Sequence, residues 1–387
     1  MTPSAHVATA VLATMTLTIS AVAAAEPWAT EAAERQSIFI SGGTAAVDRA
    51  DSAHTFRIPA LSVTTRGTLL AFAEARRGGG GDTGAIDTVV RRSTDGGTTF
   101  GPMQVVAAGD GDVMGNPAPV SLPSGRIVLV STWNSAKVPE KKMQPGLGLD
   151  SRRVFVSTSD DDGLTWTKPR EITADVKRPA WDWYATGPGA AIQLVRGPRA
   201  GRIVVPCNHR EQGIDRSHVI TSDDEGATWR LGGITGDGTN ESRVVELADG
   251  GVMLNSRNHR SAAKQRAVSV SVDAGESFDP ARFRRDPALV EPHCQAALVR
   301  HSWPADGRPG MLLFSNPASA SKRETLTLRG SLDDGGTWPF TYVVHPGNAA
   351  YSDLAVLPDG RVAVLYEKDG YTSIELAILT LSADAGR

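Results

Sequence analysis

Ser331–Trp338 reads SLDDGGTW, and the phrase recurs upstream as STDGGTTF at Ser93–Phe100, SDDDGLTW at Ser159–Trp166, SDDEGATW at Ser222–Trp229 and SVDAGESF at Ser271–Phe278. The shared pattern is Ser-x-Asp-x-Gly-x-(Thr/Ser)-(Trp/Phe), and the spacing of the starts suits one small sheet per repeat. Five matches at five constrained positions make a structural repeat. Asp and Gly two residues apart fold a tight turn, the carboxylate accepting backbone N–H bonds and the glycine taking a positive φ. The aromatic that follows is expected to anchor the turn on its own sheet. Short β-branched or alternating runs precede the boxes, such as Thr88-Val89-Val90, Val154-Phe155-Val156 and Ala267-Val268-Ser269-Val270. Each box therefore reads as a hairpin turn in a recurring sheet of about four strands.

Radial stacking of such sheets makes a propeller. Five marked blades and one unmarked blade predict an all-β, six-bladed β-propeller. Helical periodicity is scarce, and nothing linker-like interrupts the region from Ser37 to Thr380. The carboxylates of Asp95, Asp161, Asp224, Asp273 and Asp333 belong to turns at the blade periphery and are read as structural. Boxes of this kind fix a fold and leave the chemistry open.

The rest of the composition bounds the partners. With 387 residues, a net charge of −3 and no long run of either sign, the chain offers neither a nucleic-acid footprint nor a polybasic membrane contact. Residues 7–25 (VATAVLATMTLTISAVAAA) are uncharged and end in small residues. They read as a secretory signal cleaved near Ala23 or Ala25, giving a signal peptide over 1–25, a mature domain over 26–387 and a secreted or extracytoplasmic protein. The segment departs from the usual pattern in having His6 as its only basic side chain before the apolar run. Four Thr and one Ser within that run, and no charged stop-transfer flank, argue against a membrane anchor. No membrane insertion of the mature chain is expected. Cys207 and Cys294 stand in no metal or redox spacing and read as two small buried side chains.

Four stretches carry candidate chemistry. Phe56-Arg57-Ile58-Pro59-Ala60-Leu61 places an Arg in an apolar run, where it needs an anion. Ala73-Glu74-Ala75-Arg76-Arg77 leads through four glycines to Asp82, on an exposed loop, and then to Asp87 at the start of a strand. Asn240-Glu241-Ser242-Arg243 and Asn255-Ser256-Arg257-Asn258 flank a turn over Ala248–Gly251, so that Glu241 and Arg257 belong to the two arms of one hairpin. Lys322-Arg323-Glu324 and Ala350-Tyr351-Ser352-Asp353-Leu354 enclose the last box, and Glu367 follows in Val364-Leu365-Tyr366-Glu367.

These phrases resemble the sialidase family, whose catalytic domain opens on (F/Y)-R-I-P, continues through Asp boxes and closes on A-Y-S-(D/S)-L. The likeness runs from Arg57 to Glu367, nearly the whole mature chain. It implies that Arg57, Arg257 and Arg323 bind the substrate carboxylate, that Arg76 contacts the sugar O4, and that Glu367 orients Arg57. It implies Asp82, on the glycine-rich loop downstream of Arg57, as general acid/base and Tyr351 as nucleophile. Glu241 is then the base for Tyr351, ending one strand of the hairpin while Arg257 lies on the next. Competitors are Asp87 for Asp82, Arg77 for Arg76, Glu246 for Glu241 and Arg329 for Arg323; Arg243 and Arg260 are read as surface charges. Asn208, His209 and Gln295 are further candidates for lining the pocket.

The set suits a sugar with a carboxylate on its anomeric carbon. Three guanidiniums supply planar, permanently charged donors. A carboxylate nucleophile would meet the substrate carboxylate at a cost of roughly 4 kcal/mol at about 4 Å, close to a thousandfold in rate; a phenol avoids it. Sialylated glycans are the expected partners, and the chemistry calls for no metal and no organic cofactor. Transfer instead of hydrolysis, a related nonulosonic acid as substrate, and a non-catalytic sialoglycan-binding propeller are the alternatives. A pure binder would have no use for Tyr351, Glu241 and Asp82 together.

Overall fold

The structure, a computed structural model, describes residue 1 and residues 34–42, 53–259, 262–305 and 309–381. The expected signal segment and Arg260 lie outside them. Strands dominate the described residues: helix is confined to Thr173–Val176 and to 3-10 turns at Glu140–Lys142 and Pro280–Arg282. No helix among them is long and apolar enough to cross a membrane.

One up-and-down unit repeats along the chain. In the first group Thr55–Val63 pairs antiparallel with Leu69–Arg76, which pairs with Ile86–Ser93, and Gln104–Ala107 forms the edge. The second group runs Val113–Ser121, Ile127–Asn134, Arg153–Ser159, Arg170–Glu171. The third runs Trp181–Thr186, Ile203–Glu211, Ile214–Ser222, Arg230–Asp237. Thr239–Glu246, Val252–Asn258, Gln265–Ser271 and Arg284–Val290 make the fourth. Ala297–Ser302, Met311–Pro317, Glu324–Ser331 and the first half of Phe340–Val356 make the fifth. The second half of that long strand opens the last group, pairing with Val362–Lys368 and through it with Ser373–Leu379. The edge of this group is Glu34–Ile40, from the other end of the described chain.

Strands of successive groups pack against one another, and the chain of contacts closes on itself. Thr55–Val63 lies against Val113–Ser121 on one side and Phe340–Val356 on the other, while Thr239–Glu246 contacts both Ile203–Glu211 and Ala297–Ser302. Apolar clusters fill the spaces between neighbouring groups. One joins Leu61, Leu69 and Ala71 to Leu365, Leu376 and Ile378, and another joins Val128 and Val130 to Tyr184, Val205 and Ile220. Inner strands are covered on both faces, which explains near-continuous runs such as LLAFAEAR, buried throughout.

Each box joins the third and fourth strands of its group. In Ser159–Trp166 the Ser159 hydroxyl donates to Asp161 (2.9 Å) and accepts from Gly163 N (3.0 Å), while Asp161 accepts from Thr165 N (2.8 Å) and Thr165 Oγ1 (2.5 Å). Two successive residues take positive φ, as in Asp334 (55°) and Gly335 (83°), where one was expected. The glycine is required by crowding as well: a Cβ on Gly335 would stand 3.0 Å from Met253 Cε of the preceding group. The aromatic reaches beyond its own sheet as well. Trp166 packs edge-on against Phe72 of the preceding group, and Trp338 sits against Phe314 while donating to Asp286 across the interface. The boxes thus fasten neighbouring sheets together, because the turn's outer face is the surface on which the next sheet stacks.

Trp338→Ala should destabilise the protein by about 3–5 kcal/mol in urea denaturation. Asp333→Ala, which removes the turn's own bonds to Ser331 and Thr337, should cost roughly 1 kcal/mol. Equal losses would show that the ring does not bridge the sheets.

Candidate active site

The inner strands are irregular where they approach the centre. Antiparallel register shifts between Arg57 and Ala60, between Thr239 and Ser242, and between Ala349 and Ser352. Further shifts fall between Gly115 and Ala118 and between Trp181 and Trp183. Ile58 and Asn116 adopt φ of 60° and 54°, unusual for non-glycine and costly for a β-branched residue. Such bulges re-aim side chains, and here they turn Arg57, Asn116, Trp183, Glu241 and Tyr351 into one cavity of about 290 Å³.

Glu367 fixes one wall. Its carboxylate is fully buried and accepts from Arg57 Nε (2.9 Å) and Nη2 (3.2 Å), and from the backbone N–H of Ile58 (2.9 Å) and Tyr351 (3.0 Å). Burial alone would lower the Arg57 pKa, and Glu367 with the Tyr351 and Tyr371 phenols raises it well above the ordinary value.

Tyr351, 6% exposed, donates its hydroxyl to Glu241 Oε1 at 2.5 Å and accepts from Arg257 Nη1 at 3.2 Å. Arg257 Nη1 also meets Glu241 Oε2 at 2.7 Å. The guanidinium carbons of Arg57 and Arg323 lie 5.1 and 5.4 Å from the Tyr351 ring centre. Arg323 precedes Glu324–Ser331 and donates to Tyr371 at 3.1 Å. Burial and the Glu241 charge push the Tyr351 phenol well above its usual pKa, against the pull of the three guanidiniums.

Opposite stands Asp82 on its glycine-rich loop, with its side chain 72% exposed, 2.7 Å from Arg76 and 3.9 Å from Arg57. Partial desolvation pushes its carboxyl up, but Arg76 and Arg57 outweigh this and hold it below the usual range. Arg76 is locked by Glu74 (2.7 and 3.0 Å) and Gly80 O (2.7 Å), and Glu74 accepts from Asn116 N at 2.8 Å.

Arg57, Arg257 and Arg323, with Arg76, Asp82, Glu241 and Tyr351, all line the cavity; Glu367 lies behind Arg57. The competitors are engaged elsewhere. Asp87 pairs with Arg77 at 2.9 Å, Glu246 accepts from the N–H of Val195 and Arg196, and Arg329 donates to Asn316.

Several expectations need correction. Glu241 is the third residue of its strand Thr239–Glu246, not its end, because the strand enters from the cavity side. Arg243 is no surface charge: it is buried and ion-paired to the buried Asp353 at 2.8 Å. Asp353 also accepts from Leu61 N (2.8 Å) and Ala190 N (3.0 Å), knitting together segments that meet at the centre. Asn208, His209 and Gln295 do not line the cavity. Asn208 accepts from Trp183 Nε1, His209 stacks on Trp181 at 3.6 Å, and Gln295 bonds the Ser352 backbone. They support the wall from behind.

Sequence reading missed Asn116, Arg152, Trp183, Asp215 and His259 on the wall, and Tyr371, over whose ring Arg57 lies at 4.1 Å. None carries a local signal beyond its residue type. Cys207 and Cys294 are buried free thiols. Among the described residues no cluster of His, Cys, Asp or Glu could hold a metal.

Comparison with known proteins gives consistent results. The BNR repeat-like domain family matches residues 67–364. A sialidase of Micromonospora viridifaciens is 39% identical over 336 residues, covering 83% of this chain and 51% of its own. A Bacteroides fragilis sialidase is 29% identical, covering 82% of this chain and 60% of its own. The chain thus spans between half and two thirds of those relatives' length. Among solved structures, the Hadza microbial sialidase Hz136 superposes with a TM-score of 0.77 at 28% identity, covering 87% of this chain and 67% of that one. The intramolecular trans-sialidase from Ruminococcus gnavus gives 0.77 at 18% identity, covering 90% and 98%, a likeness of fold.

A phenol whose pKa is raised on folding contributes stability in full below about pH 10, and that contribution is lost as pH rises through the folded value. Urea midpoints should therefore fall more steeply above about pH 10 for the native protein than for Tyr351→Phe. Parallel curves would mean an unperturbed phenol.

Proposed function

Because the chain belongs to the sialidase family of BNR repeat-like proteins, we propose that it is an exo-alpha-sialidase, a retaining glycoside hydrolase that removes terminal sialic acid from glycans. The observation that carries this is the Tyr351 hydroxyl, hydrogen-bonded to Glu241 and surrounded by Arg57, Arg257 and Arg323.

The substrate carboxylate takes the guanidinium clamp, which brings the anomeric carbon to Tyr351. A neutral phenol approaches without charge repulsion. As it attacks, its proton passes to Glu241, and Arg257 stabilises the charge shared between them. A bond forms between the anomeric carbon and the Tyr351 phenolic oxygen while the bond to the leaving oxygen breaks. Asp82 supplies that oxygen's proton. Water, deprotonated by Asp82, then attacks the anomeric carbon and Tyr351 recovers its proton from Glu241. Two inversions retain configuration. In the free site Asp82 is ionised beside Arg76. A bound carboxylate neutralises Arg57 and adds repulsion, which raises the Asp82 pKa toward that of an acid able to donate.

The repeated four-strand groups and the cycle of inner strands support a six-bladed β-propeller, with the last blade closed by Glu34–Ile40. The catalytic domain is assigned to residues 26–387. The uncharged run at 7–25 supports export.

A fluorogenic α-sialoside tests the reading across pH 4–8, and native protein without turnover there would refute it. Tyr351→Phe should lose about 10³-fold in kcat. Asp82→Ala should lose about 10²–10⁴-fold on an alkyl sialoside and less on a phenolic one, whose leaving group needs less proton assistance.

A further inference from the structure

Two residues along from each half of the Tyr351–Glu241 couple stands a second couple. Arg243 follows Glu241 on Thr239–Glu246, and Asp353 follows Tyr351 on Phe340–Val356. Their side chains meet at 2.8 Å, as the carboxylate and phenol meet at 2.5 Å. The two strands belong to different sheets, so among the described residues no backbone ladder sets their separation. Both are bulged at the reacting residue, where register shifts between Thr239 and Ser242 and between Ala349 and Ser352. Glu241 and Tyr351 thus occupy the irregular stretch of each strand. Arg243 and Asp353 stand where regular pairing has resumed, opposite Asn255 and Leu365.

The surroundings hold this second couple tightly. Asp353 Oδ2 accepts from Leu61 N and Ala190 N, and its Oδ1 faces Arg243 and accepts from Leu354 N at 2.9 Å. Arg243 Nη2 reaches Leu298 O at 3.4 Å. A Cβ on Gly189, at φ 99°, would stand 2.2 Å from Arg243 Nη1 and 3.3 Å from Asp353 Cγ. The chain closes on the pair with glycine because nothing larger fits. Burial pushes the Asp353 carboxyl up and the Arg243 guanidinium down, each against the pull of its partner. A pair so costly to desolvate adds little stability over apolar side chains of similar volume. What it supplies is a fixed distance between two strands.

We propose that Arg243 and Asp353 are positioning residues for the reaction of Tyr351, their ion pair holding the two strands at the separation where the phenol can pass its proton to Glu241. This rests on the sialidase reading above. Neither side chain lines the cavity, so each acts through the couple two residues away. Proton transfer needs hydrogen-bond reach between the two oxygens, and a misplacement of about 1 Å can cost about 10²-fold in rate. Arg57 and Arg323 are held by Glu367 and Tyr371, so substrate binding depends on the pair far less than the chemical step does.

The test is steady-state kinetics on a fluorogenic α-sialoside with Arg243→Met and Asp353→Asn combined. Both charges go, and the Asn carbonyl still accepts backbone N–H bonds. The combined variant should lose about 10–100-fold in kcat, with KM within about threefold of native. Beside Tyr351→Phe the same two substitutions should change kcat by less than about threefold, since the couple they position is already broken. General loosening of the fold would raise KM as well, or remove the same factor from kcat in both backgrounds. Either result overturns the proposal, as does native kcat in the combined variant. If circular dichroism shows that variant unfolded, Arg243→Lys decides, because it keeps the charge without the planar fork. It should lose about three- to tenfold in kcat alone, and nothing further beside Tyr351→Phe. Native kcat in Arg243→Lys, or equal losses in the two backgrounds, overturns the proposal. Native protein without turnover overturns the sialidase reading and this inference with it, an outcome seen before any variant is compared.

Discussion

The centre of the molecule depends on the Glu367 carboxylate. Both oxygens are used twice, on the Arg57 side chain and on the backbone N–H of Ile58 and Tyr351. One buried anion thereby fixes a cation, the bulge that presents it and the segment bearing the phenol. Removing it would leave Arg57 buried without a counter-charge, the situation in which losses reach several kcal/mol. The first and last strand groups meet here, so the same carboxylate also ties the two ends of the cycle.

Charge balance explains the rest of the cavity. Glu367 answers Arg57, Glu241 answers Arg257, and Glu74 and Asp82 share Arg76. Among the described residues, Arg323 has only the Tyr371 hydroxyl and Arg152 only neutral oxygens. The protein therefore leaves unmatched positive charge on two sides of one cavity, and a ligand with an anionic group and well-placed oxygens completes it. The same field, from Arg76 and Arg57, holds the Asp82 carboxyl below the usual range.

Regular strands build the body, and broken ones build the site. Bulges fall at Arg57–Ala60, Thr239–Ser242 and Ala349–Ser352. A strand in perfect register would alternate its side chains between the neighbouring sheets, burying Tyr351 and Glu241 in apolar interfaces. The local strain at Ile58 and Asn116 is held in place by hydrogen bonds from their backbone N–H to Glu367 and Glu74. The boxes, far along the same chain, supply the sheet-to-sheet fastening that lets the inner edge be irregular.

The box repeat determined the all-β class and the position of each turn from sequence alone, because Ser, Asp, Gly and Thr satisfy one another within a single turn and need no distant partner. The motif phrases likewise marked Arg57, Asp82, Glu241, Arg257, Arg323, Tyr351 and Glu367. Only the tertiary structure decided which charges are buried: Arg243, read as a surface group, pairs with Asp353 from a different strand group. It alone put Arg152 over Trp183 and moved Asn208, His209 and Gln295 behind the wall. Those assignments depend on bulges and on the closing of the strand cycle. Both set side-chain direction through contacts among segments far apart in the chain, where local pattern carries no information.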